Sequence, residues 1–155
     1  MEQNSNLLKC GDLNCEARII DKIWKGEIMS QWTHVAAVFR LDSFGKILDE
    51  DIYKVFGKEI SWNDLYNYDE SDDIKTLPMG SEGTLEMSIW HNPDKGCMAS
   101  TTVSVFGDLR DYGGSDIDKL KEWFNECCEQ FMVRQAVMHV IDEYADEPLI
   151  VQYVE

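Results

Sequence analysis

Apolar and polar positions follow two periods along the chain, and the switches between them mark the elements. Gln31 to Leu41 alternates as a strand does, with Val35, Ala37, Phe39 and Leu41 set against Trp32, His34, Ala36 and Val38. Both sets are largely apolar, which predicts a central strand covered on both sides. Glu16 to Gly26 carries the β-formers Ile19, Ile20, Ile23 and Trp24 in a charged run and predicts an earlier strand, close enough to pair as a hairpin. Thr84 to His91 places Leu85, Met87 and Ile89 on one face and Thr84, Glu86, Ser88 and Trp90 on the other. A turn at Asn92–Gly96 and a return strand from Met98 to Phe106 complete a second hairpin.

Helical spacing appears twice. Leu48, Ile52, Val55 and Phe56 predict a short helix ending near Gly57, with Asp49, Glu50 and Asp51 in the first turn, where the helix dipole favours acids. Ser115 to Phe131 is the main helix, its buried face drawn from Ile117, Leu120, Phe124, Cys127, Cys128 and Phe131. Ser115 is the expected cap, after the permissive pair Gly113-Gly114. From Met132 to Glu143 the helical pattern persists, but its apolar side is turned by roughly 200° from that of the preceding helix at 100° per residue. One continuous helix would be apolar on two sides. A strand is favoured instead, followed by a turn at Ala145–Pro148 and a last strand from Leu149 to Val154. These elements predict one α+β domain over residues 1–155. An antiparallel sheet of five or six strands would pack against the main helix near 115–131, with a short second helix beside it.

Charge changes the picture from fold to partner. The 155 residues include 30 acids and 14 bases, for a net charge of −16. From Asp42 to Asp73 ten acids face Lys46, Lys54 and Lys58; from Asp108 to Glu147 eleven acids face Arg110, Lys119, Lys121 and Arg134. Such a field repels phosphate backbones and anionic lipid, so direct binding to nucleic acid or to a membrane surface is not expected. It steers the chain toward basic partners. The opening residues Met1–Cys10 lack a charged-then-apolar signal pattern, and no apolar run approaches the ~20 residues of a membrane helix, so a cytoplasmic protein is expected.

Candidate chemistry is sparse. Five cysteines, two of them adjacent at Cys127 and Cys128, fit a reducing compartment better than a disulfide framework. Cys10 and Cys15 are the one pair at loosely zinc-like spacing, but there is no second knuckle, so no metal and no cofactor are expected. His91, Asp94 and Cys97 fall in a hairpin turn, a poor place to hold three groups in register. His34 and His139 read as hydrogen-bonded core histidines. No phosphate loop or dinucleotide fingerprint is present, and Asp69–Asp73 lacks the glycine of a calcium loop. No catalytic residue is therefore assigned.

The most suggestive stretch runs from Trp62 to Asp73, where aromatic and acidic residues interleave without a regular period. Trp62, Tyr66 and Tyr68 have the composition of interface anchors, and Asp64, Asp69, Glu70, Asp72 and Asp73 suit lysines and arginines on a partner. The alternative is that the aromatics fold back as a satellite core. The expected function is that of an acidic, non-enzymatic protein that inhibits a basic protein partner. It would be either an immunity protein against a toxin nuclease or a nucleic-acid mimic directed at a defence or nucleic-acid enzyme. The competing classes are a small-molecule enzyme with an unrecognised pocket and a structural or scaffold subunit.

Overall fold

A computed structural model describes residues 30–61, 75–93 and 98–155. The expected strand over 16–26, Cys10 and Cys15 lie outside the described residues, as do Asp94 and Cys97. Chain order is β1 (Trp32–Ser43), α1 (Asp49–Phe56), β2 (Leu85–His91), β3 (Ala99–Arg110), α2 (Ser115–Gln130), β4 (Val133–Asp142) and β5 (Leu149–Val154). The fold is α+β; among the described residues it has a five-stranded antiparallel sheet in the order β2-β3-β1-β4-β5 and two helices, one of 16 residues and one short.

Strand β1 is central and pairs antiparallel with both β3 and β4. Its odd positions Val35, Ala37, Phe39 and Leu41 are buried, whereas His34, Ala36, Val38 and Arg40 are exposed. This corrects the expectation of a strand covered on both sides. Both helices lie over the Phe39 side, and no described element covers the other. Phe39 is fully buried between Phe56, Phe124 and Trp123, with ring centroids 4.8, 5.0 and 5.9 Å away. The Trp123 indole N–H donates to the Phe56 carbonyl at 2.8 Å and ties the two helices together. Trp123 fell outside the helical stripe read from spacing, and it closes the gap between α1 and α2.

Helix α2 begins without a side-chain cap. Gly114 takes the cap position at φ 58°, a left-handed conformation suited to glycine, and Ser115 falls inside the first turn. Asp116 and Asp118 in that turn complement the dipole instead. The helix stops at Gln130 because Phe131 is extended, and Val133 opens β4. Strand β4 carries a bulge opposite Arg40 and Leu41: Arg40 pairs with Gln135, and Leu41 pairs with Val133. The extra residue, Arg134, lets Val133 join Ala136, Met138 and Val140 in the core. Simple alternation had put Val133 on the face of Val137 and Ile141.

Two contacts close one end of the sheet, where β1 begins and β3 and β4 finish. Glu143 accepts a hydrogen bond from the Trp32 amide at 2.9 Å, and the Thr33 hydroxyl donates to the Tyr112 carbonyl. Beyond α1, Gly57 adopts φ 103°, and Lys58 bridges to Thr76. The Lys58 amide donates to Lys75 at 2.9 Å, and the Leu77 amide donates to Lys58 at 3.0 Å. No helix among the described residues is long and apolar enough to cross a membrane.

Candidate interaction surface

The eight residues expected to bind a partner, Trp62, Asp64, Tyr66, Tyr68, Asp69, Glu70, Asp72 and Asp73, lie outside the described residues. Their described flanks meet at the Lys58–Thr76 bridge, beside the C-terminal end of α1.

The described residues carry two surfaces of different chemistry. The helical side is acidic. Asp49, Glu50 and Asp51 are exposed on α1, and Asp118, Glu122, Glu126 and Glu129 are exposed on α2. The spacing of Asp118, Glu122 and Glu126 puts three carboxylates in one row, about 6 Å apart along the axis at 1.5 Å per residue. Lysines answer only part of this charge: Lys54 lies 3.1 Å from Asp51, Lys119 lies 2.6 Å from Asp116, Lys121 lies 2.8 Å from Asp118 and Lys75 lies 3.1 Å from Glu126. Exposed pairs of this kind are weak and screened by salt, so they leave most of the field in place.

The open face of the sheet is mixed and partly apolar. One row across it reads Glu86, Phe106, Ala36, His139 and Ile150; the next reads Ser88, Ser104, Val38, Val137 and Gln152. Trp90, Phe106 and Ile150 are 56%, 46% and 54% exposed, well beyond what a covered sheet face would leave. A shallow depression of about 360 Å³ is lined by Val38, Arg40, Gln135, Val137, Gln152 and Val154. The signal for this face was in the sequence. His34 and Arg40 share the parity of Ala36 and Val38, and charged groups on that parity mark a wet side.

The histidines sit differently from expectation. His34 is on the open face, with Nδ1 2.6 Å from Asp108 across the strand pair. His139 is only half-buried on the same face. His91 links three elements: Nε2 lies 2.7 Å from Asp49 of α1, and Nδ1 lies 2.9 Å from the buried Thr101 hydroxyl. At the end of the open face Asp42, a buried carboxylate, lies 2.6 Å from Arg134 Nε and 3.4 Å from Arg40 Nε. This pairing fixes the bulge and holds two guanidinium groups on an otherwise acidic molecule.

Cys127 and Cys128 are buried free thiols in the core. Burial pushes the Cys127 thiol up to about 12 and the Cys128 thiol up to about 11. Neither supplies a thiolate at neutral pH. Among the described residues, no three His, Cys, Asp or Glu side chains gather as a metal site. Comparison with protein-family models, with curated proteins and with solved structures found no match to this chain.

Proposed function

We propose that this chain is an acidic, non-enzymatic binding protein that inhibits a basic protein partner. The observation that carries the reading is the net charge of −16, part of it displayed on the outward sides of α1 and α2. Concentrated like charge opposes folding by self-repulsion, and its gain is rapid, oriented encounter with a cationic surface. A nucleic-acid enzyme must keep such a surface to hold phosphate. A folded polyanion competes for it without any reaction of its own. The inhibitor takes one of two forms, an immunity protein for a toxin nuclease or a nucleic-acid mimic, and both rest on the same electrostatics. The contact surface is assigned to Trp62, Tyr66 and Tyr68 with Asp64, Asp69, Glu70, Asp72 and Asp73.

The test is recovery of the partner on the immobilised chain from cells of its native host, followed by assay of what is recovered. A basic nuclease or DNA-binding protein that loses activity when the chain is added supports the proposal. A partner without a cationic surface, or a small molecule that raises the melting temperature in its place, contradicts it.

A further inference from the structure

The open face of the sheet calls for a different occupant from the acidic side. It carries Arg40, Arg110 and Arg134 against Asp42, Glu86, Asp108 and Glu143, so it is close to neutral on a chain of net charge −16. Two copies of so acidic a chain repel one another everywhere except where the local field is small. We propose that this face is the interface of a symmetric homodimer, with two copies packed sheet against sheet about a two-fold axis that crosses the strands level with Ala37.

The arrangement of charge selects that axis. Arg40 and Arg134, with Asp42, leave one end of the face net basic; Asp108 and Glu143, with Arg110, leave the other net acidic. An axis parallel to the strands would stack Arg40 on its own copy. An axis across the strands inverts the ends, so Arg40 of each copy meets the end that bears Asp108 of the other. It also sets Ala36 against Val38. Ile141 and Ile150 come over the depression beside Val137, and by symmetry each copy fills the hollow of the other. Aligned sheets pack in this way at about 10 Å separation, with side chains interdigitated.

The area is sufficient. About two dozen outward positions lie on the five strands, half of the residues they contain. At ~3.3 Å rise and ~4.8 Å strand spacing, each outward position covers about 32 Å², which gives a face of roughly 750 Å². Stable interfaces bury about 800 Å² per partner. The dimer leaves the acidic helices of both copies outward, so it is compatible with the proposed function and does not depend on it.

The experiment is sedimentation of the full chain from about 1 to 200 µM, a range that spans Kd values typical of modest interfaces. A species of twice 17.9 kDa is expected to accumulate with concentration. The double variant Val137→Asp with Ile150→Asp is expected to stay monomeric while its circular dichroism is unchanged. Arg40→Glu alone and Asp108→Arg alone should each raise Kd at least tenfold, and the two together in one chain should recover it. That recovery has no intramolecular explanation, because the two sites lie at opposite ends of the face. A monomer throughout the range, a dimer indifferent to the Val137 and Ile150 changes, or no recovery in the charge swap overturns the proposal.

Discussion

Two phenylalanines on neighbouring central strands are expected to respond very differently to truncation. Phe39 is fully buried on the helical side of β1, with three aromatic rings within 6 Å of its centroid. Phe106, on β3 opposite Ala36, points to the open side and is 46% exposed. Phe39→Ala removes the whole buried ring and leaves a cavity bounded by α1 and α2, at a cost of about 3–5 kcal/mol. The edge-on contacts with Phe56 and Trp123 place it toward the upper part of that range. Domains of this kind have about 5–15 kcal/mol in all, so the variant should fold but unfold at much lower denaturant. Phe106→Ala removes area already half in water, and in a separated copy it should cost about 1 kcal/mol. Urea unfolding followed by tryptophan fluorescence measures both. The midpoint of Phe39→Ala should fall equally at 1 and 100 µM. That of Phe106→Ala should fall little at the lower concentration and more at the higher, where the dimer adds its share. Equal losses at both sites and both concentrations would refute a sheet with one open face.

Further outcomes follow from single positions. Gly57→Ala should cost at least about 2 kcal/mol, since left-handed backbone penalises a side chain by roughly 1–2 kcal/mol and a Cβ there would lie 2.3 Å from the Thr76 carbonyl carbon. Gly45→Ala, with nothing within 4 Å, should be neutral or slightly stabilising in the same urea assay. Asp42→Ala should destabilise by about 1–3 kcal/mol, less than a fully buried pair because Arg40 and Arg134 remain half in water. Cys127 and Cys128 should resist a thiol reagent at pH 8 until denaturant is added. Because the native state holds both protons to higher pH than the unfolded chain, the melting temperature should fall as pH rises above about 9 toward 11–12. A melting temperature that rises across that window would contradict their burial.

Much of the fold was legible because its signals are local. Hairpin β2–β3, helix α2 and strand β5 each announce their period within a dozen residues. The turn of the apolar side after Phe131, with the helical pattern itself unbroken, distinguished strand β4 from a continued helix. What was hidden is non-local or depends on one inserted residue. The order β2-β3-β1-β4-β5 joins segments far apart in sequence. The bulge at Arg134 reverses the side on which Val133 lies. The open face was misread because Ala36 and Val38 resemble core residues, while the charges sharing their parity, His34 and Arg40, stand at its margins. The His34–Asp108 contact spans 74 positions, and no spacing rule reaches that far. The acidic imbalance, by contrast, is visible in composition alone.

The central claim is that acidic charge brings this chain to a basic partner. It is tested most directly by the association rate with the partner recovered on the immobilised chain, measured by stopped flow from 20 to 500 mM salt. Screening shortens to about 8 Å at physiological ionic strength. Steered association should therefore slow steeply across this range, by about ten-fold or more, while dissociation changes little. Charge reversal at Asp69, Glu70, Asp72 and Asp73 should flatten the dependence more than reversal at Asp116, Asp118, Glu122 and Glu126. An association rate that does not change with salt would contradict the account.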